Sequence, residues 1–178
     1  MIRLWTARLD AEPGGLRPLL SSDERLRADR FRFERHRAAY TVARATLRLI
    51  LGDFLGRDPA VLRFVYGPHG KPRLEGGPHF NLSHAEGLAL YAVSEDVEVG
   101  VDLEFVREPP DIGDPACVSP EDFWRRWTRR EALLKAEGVG LSGEADESRW
   151  TLRDLEPAPG YVGALALRTS VAALSPLR

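Results

Sequence analysis

The sequence predicts an α+β protein of two similar halves, each a small, mostly antiparallel sheet packed on a long helix. Three observations carry this. A long helical segment with short strands beside it occurs twice, once before residue 98 and once after it. The strand-like stretches are brief and separated by glycine, proline and acidic turns, the usual punctuation of antiparallel sheets. No stretch has the composition of a flexible linker, so residues 1–96 and 97–178 are expected to share one compact unit.

The elements follow in order. IRLWTARL (2–9) reads as a strand and EPGG as a turn. Ser21 or Ser22 caps a long helix that runs, with a break near 34–36, to about Leu51, where GDFLGRDP ends the pattern. VLRFVY (61–66) reads as a strand, and GPHGKPRLEGGPH and FNLSH as loops. GLALYAVS (87–94) and VEVGVDLE are strands with a tight turn at Glu95 and Asp96. Ser119-Pro120-Glu121-Asp122 supplies a cap, a proline in the first turn and early acids for a helix that ends at Gly138. SRWTLRDL and YVGALALR form a closing hairpin.

Composition narrows the function. Hydrophobic residues make up 43% and charged residues 29%, a soluble balance, and the net charge of −2 lacks the broad basic footprint of a nucleic-acid binder. Cys117 is the single cysteine, so no intrachain disulfide forms; it is expected to be inert, in keeping with a reducing compartment. No apolar run reaches membrane-span length, and MIRLWTARLD lacks the features of a signal peptide. A cytoplasmic, monomeric protein is expected, with no membrane or nucleic-acid partner.

VGVDLE (99–104) carries the first chemical signal. Val99, Val101 and Leu103 share one strand face, and Gly100, Asp102 and Glu104 the other. Carboxylates side by side on one face repel and require compensating positive charge. In FWRRWTRREALLKAEGVGL, Trp127, Glu131, Leu134 and Lys135 fall on adjoining positions of one helical face, with Trp127 and Leu134 suited to the core. Glu131 and Lys135 alone would be an ordinary surface ion pair. Beside Asp102 and Glu104, the Glu131 carboxylate can complete an oxygen cage for Mg²⁺, and a lysine one turn away could then hold a phosphate oxygen, though spacing alone does not make this specific. Mn²⁺ would fit the same oxygens.

Other residues supply further phosphate ligands. Arg30, Arg37 and Arg44 recur at a seven-residue spacing, with Arg48 one turn on; the stripe is either a solvated basic face or a phosphate site. Gly70-Lys71-Pro72 presents a lysine from a rigid turn, and FNLSH presents Ser83 and His84.

The order GKP, FNLSH, VGVDLE, WTRREALLKAEGVGL resembles the 4′-phosphopantetheinyl transferase superfamily, in its surfactin-synthetase-activating form with both halves in one chain. The resemblance implies two halves related by a pseudo-twofold axis, with coenzyme A between them. It implies transfer of the phosphopantetheine arm to a serine of an acyl or peptidyl carrier protein, with release of 3′,5′-ADP. By the same resemblance Asp102, Glu104 and Glu131 hold Mg²⁺, Glu131 helps deprotonate the serine, and Lys135 steadies the diphosphate. Lys71, Ser83 and His84 match coenzyme A phosphate ligands, Gly70 and Pro72 shape the lysine loop, and Arg44 is favoured over Arg37, Arg48 and Arg25 for the 3′-phosphate.

Two departures stand out. Only residues 105–126 separate Glu104 from Trp127, a shorter stretch than the family usually has, and Arg130 precedes Glu131 where many relatives have lysine. The short stretch motivates an alternative, a degenerate member that binds coenzyme A or a carrier without transfer; retention of three acids and two lysines opposes it. A Mg²⁺-dependent nuclease is disfavoured, since here the acid and lysine lie four apart on a helix rather than two apart on a strand.

Overall fold

A computed structural model describes residues 1–110, 119–140 and 143–169. In chain order the elements are β1 (Ile2–Arg8), α1 (Ser22–Asp29), α2 (Glu34–Leu55), β2 (Phe64–Tyr66), β3 (Pro72–Leu74), β4 (His79–Ala85), β5 (Leu88–Ser94), β6 (Val99–Phe105), α3 (Pro120–Glu137), β7 (Trp150–Leu155) and β8 (Tyr161–Arg168). They form two three-stranded sheets, ordered β1-β5-β4 and β6-β8-β7, and a small β2-β3 ribbon. All strand pairs are antiparallel, in line with the α+β expectation. Cys117 and Leu141 lie outside the described residues.

Strand β5 is buried along its whole length because each face meets a different layer. Ala89, Tyr91 and Val93 pack with Val42, Leu47 and Leu51 of α2. Leu88, Leu90 and Ala92 pack with Val99, Val101 and Leu103 of β6. On the far side of β6 and β8, Ala132, Leu133 and Ala136 of α3 pack on Ala164, Ala166 and Trp150. The order of layers is therefore helix, sheet, sheet, helix. The alternation in VGVDLE thus sorts two buried faces, one toward the other sheet and one toward α3.

Several elements differ from expectation. The helix break falls between Asp29 and Glu34 rather than at 34–36, with Phe33 extended and the Phe31 ring packed on Tyr40 at 5.4 Å. Arg30 is consequently not on the helix that carries Arg37 and Arg44. Asp58 caps a 3₁₀ turn at Pro59–Val61, which shortens the following strand to Phe64–Tyr66. Glu95 and Asp96 do not close a hairpin: β1 and β4 occupy both edges of β5, so the chain crosses to the other sheet. FNLSH is strand β4 and not a loop. Trp127 is 38% exposed, stacked on Phe123, instead of lying in the core; Leu134 is buried.

α3 is as expected. Ser119 Oγ accepts from the Asp122 N–H, Pro120 opens the helix, and Gly138 closes it in the left-handed region at φ 73°. Among the described residues no helix is long and apolar enough to cross a membrane.

A buried ion cluster ties α1 to α2. Glu24, 1% exposed, accepts from Arg44 Nε at 2.8 Å through one oxygen and from Arg48 Nε at 2.6 Å through the other. It also accepts from the Ser21 N–H at 3.0 Å. Burial pushes the Glu24 carboxyl up, and the arginines outweigh it, holding it below its ordinary value. Glu24→Gln leaves two guanidinium groups buried without their counter-charge. It is expected to cost about 3–5 kcal/mol in urea unfolding; a midpoint equal to wild type would show that the cluster does not anchor α1.

Candidate active site

The site is built where α3 lies on β6. A Cβ on Gly100 would sit 2.1 Å from the Ala132 carbonyl oxygen and 2.5 Å from the Ala136 nitrogen. Only glycine lets the helix backbone come this close to the strand. Two residues along, on the same strand face, is Asp102, 3% exposed. Its Oδ1 accepts from Ser83 Oγ at 2.8 Å and from the Lys135 ammonium. Ser83 Oγ accepts a second bond from Lys135 Nζ at 2.9 Å. The other Asp102 oxygen, Oδ2, is buried and has no hydrogen-bond partner among the described residues.

Glu104 and Glu131 border this carboxylate. Burial raises the Glu104 carboxyl above its ordinary value, Asp102 and Glu131 add to the rise, and Arg107 and Lys135 oppose it. Burial also raises Glu131, again with Asp102 adding and Lys135 and Arg130 opposing. The three acids therefore share one electrostatic neighbourhood. They are not drawn together: among the described residues no three acidic, imidazole or thiolate side chains are close enough to hold a metal ion. Lys135 stands against Asp102 instead. In kind, the residues fit a hard divalent cation, since all donors are oxygens and Asp102 Oδ2 is an unpartnered buried acceptor.

Strand β4 supports β6 from its edge. Asn81 Oδ1 accepts from the Val101 N–H at 2.9 Å, so Asn81 and Ser83, two apart on one strand face, both reach across to β6. The sequence marks Asn81 only through its period-2 relation to Ser83.

Lys71 sits at the C-terminal end of α3. Its ammonium donates to the Ala136 carbonyl at 2.7 Å and the Val99 carbonyl at 3.3 Å, and burial pushes it down to about 8. In this arrangement Lys71 braces helix and strand. It lines a cavity of about 260 Å³ with His69, Asn81, Leu134, Lys135 and Gly140. Pro72 opens β3, paired with Tyr66. His84 is exposed beyond Ser83 and faces a different cavity of about 480 Å³, shared with Phe31, Arg35, His36 and Tyr40.

The arginine expectation is corrected. Arg44 is 8% exposed, and its donors are committed to Glu24 and, at 3.1 Å, to the Tyr66 hydroxyl, with its guanidinium over the Phe64 ring. It is a structural counter-ion and does not present a phosphate fork. Arg48 is likewise taken up by Glu24 and the Pro59 and Leu62 carbonyls. Arg37 bonds Glu34 and the Phe31 carbonyl. The sequence gives no direct sign of the buried Glu24 twenty residues before Arg44.

No family model matches the chain. A 4′-phosphopantetheinyl transferase from Nostoc sp., HetI, is 38% identical over 182 aligned positions, covering 88% of this chain and 76% of HetI. The chain belongs to the 4′-phosphopantetheinyl transferase family. Other members are similar over less of their length. AcpT from Salmonella typhi is 36% identical over 51% of this chain and 56% of its own. A Bacillus subtilis 4′-phosphopantetheinyl transferase is 28% identical over 60% of this chain and 59% of its own.

The Gly100 contact fixes where Asp102 meets α3. Gly100→Ala forces a methyl group into helix backbone. It is expected to cost about 1–3 kcal/mol in urea unfolding and to move Lys135 away from Asp102 in a crystal structure. Unchanged stability with an unchanged Lys135–Asp102 distance would contradict this role.

Proposed function

We propose that the protein transfers the 4′-phosphopantetheine arm of coenzyme A to a serine of an acyl or peptidyl carrier protein, in a Mg²⁺-dependent reaction that releases 3′,5′-ADP. The observation that carries this reading is the buried Asp102 carboxylate with an unpartnered oxygen, flanked by Glu104 and Glu131 and faced by Lys135. Family membership supports the reaction class.

Asp102, Glu104 and Glu131 would hold the cation. When bound, it acts as a Lewis acid on the diphosphate, and Mn²⁺ suits the same donors. The residues do the rest. The serine Oγ attacks the phosphorus that carries the pantetheine arm, the bond from that phosphorus to the bridging oxygen breaks, and 3′,5′-ADP leaves with that oxygen and its electrons. Glu131 takes the serine proton as general base. Lys135 neutralises the charge gathering on the leaving diphosphate oxygen. Lys71 and the cavity beside it receive coenzyme A on one side of the site, and His84 supplies a phosphate contact from the cavity on the other. The halves 1–96 and 97–178 form this cleft within one chain, and the protein acts as a cytoplasmic monomer.

The test is intact-mass spectrometry of apo acyl and apo peptidyl carrier proteins incubated with the protein, coenzyme A and Mg²⁺. The expected result is a gain of one phosphopantetheine arm, abolished by EDTA and by Asp102→Ala. Coenzyme A binding without transfer to either carrier would favour a binding-only member. A mass gain that survives EDTA would overturn the metal assignment.

A further inference from the structure

Lys71, on the turn before β3, reaches into the backbone of α3 and β6. The turn that presents it is tight: the Gly67 N–H donates to the Lys71 carbonyl at 3.0 Å, and the Gly70 N–H to the Gly67 carbonyl at 2.9 Å. From there the stem runs past Gly138, where a Cβ would lie 3.4 Å from Lys71 Cδ. The ammonium ends between two carbonyls, Ala136 at 2.7 Å and Val99 at 3.3 Å. Ala136 is in the last turn of α3, where carbonyls lack helical partners and the helix end is partly negative. The Gly138 N–H satisfies the Leu134 carbonyl, and Lys71 satisfies that of Ala136.

These two carbonyls flank the closest approach of helix and strand. Val99 precedes Gly100 in β6, and the Cβ position of Gly100 lies against the Ala136 backbone. Asp102 is two residues further along that strand, and Lys135 immediately precedes Ala136. One ammonium thus pins both backbones beside the Asp102–Lys135 contact. Two of its three N–H donors are spent on carbonyls, and burial disfavours its charge, bringing it down to about 8. Glu98 and Glu137 favour the charged form, and Arg73 opposes it. His69 and Lys135 line the same cavity.

We propose that Lys71 is a positioning residue, which clamps the last turn of α3 to β6 and so sets Lys135 and Glu131 relative to Asp102, and that it does not bind a phosphate of coenzyme A. The effect on chemistry rests on the transferase reading above. Within that reading Lys71 walls the cavity with its stem while its ammonium stays on the carbonyls. Glu131 and Lys135, one turn apart on α3, shift together when that turn is released, and small misplacements of reacting groups are costly in rate.

Lys71→Met keeps an apolar stem and removes the ammonium. With carrier transfer as the readout, kcat is expected to fall about tenfold or more, while the KM for coenzyme A changes less than about twofold. In wild type, kcat is expected to fall as pH rises through about 8, because charge-assisted bonds weaken when the ammonium loses its proton; Lys71→Met lacks this limb. A KM for coenzyme A raised about tenfold with kcat unchanged makes Lys71 a phosphate ligand and overturns the proposal. So does a limb near pH 8 that persists in Lys71→Met.

Amide hydrogen exchange reads the clamp without turnover. Lys71→Met is expected to lower protection of the Gly138 amide and its neighbours in the last turn of α3 about tenfold, with β1 and β5 unchanged. That loss, with no transfer by the wild-type protein, would leave the clamp standing and sink the transferase reading. Protection equal to wild type sinks the clamp itself.

Discussion

The structure depends on one buried carboxylate. Asp102 is removed from water because Gly100, two residues earlier, lets α3 lie directly on β6. A carboxylate taken out of water has to be bonded to something. The fold brings two donors to one of its oxygens, Ser83 from the edge of the other sheet and Lys135 from the helix. Both sheets and one helix therefore meet at a single oxygen atom. Asn81 holds the same strand one residue earlier, so β4 and β6 stay in register across the sheet boundary.

A second buried carboxylate shows what a purely structural acid looks like here. Glu24 has an arginine on each oxygen and a backbone N–H besides, and its proton affinity is lowered. Asp102 keeps one oxygen without a partner, and the neighbouring acids Glu104 and Glu131 have theirs raised. In the first cluster charge is balanced and nothing is left over. In the second, Lys135, Arg107 and Arg130 oppose the three acids, and one Asp102 oxygen is still left without a partner among the described residues. The division of labour also explains the arginines: Arg44 and Arg48 are spent on the first cluster and are not offered to a ligand.

What was legible in the sequence was whatever is decided locally. The α3 boundaries follow from Ser119, Pro120 and Gly138, and the two-faced β6 from its alternation. Asp102, Glu104, Glu131 and Lys135 stand out in the sequence because like charge on one strand face needs an answer. What was illegible depended on partners far along the chain. FNLSH looked like a loop because asparagine and serine are poor strand formers; here their side chains bond the next sheet, which offsets that preference. Arg44 looked like a ligand because spacing reveals a stripe but not the acid buried opposite it. Trp127 shared a face with Leu134, yet that face turns out of the core before it reaches the tryptophan.

Asp102 and Lys135, in contact across β6 and α3, are expected to be energetically paired. The most direct measurement is a double-mutant cycle on urea unfolding, with Asp102→Asn, Lys135→Met and the double variant. A favourable coupling energy of about 1 kcal/mol or more is expected for groups in contact at a buried site. Changes that add to within about 0.5 kcal/mol would mean that the two side chains do not depend on each other, and would contradict it.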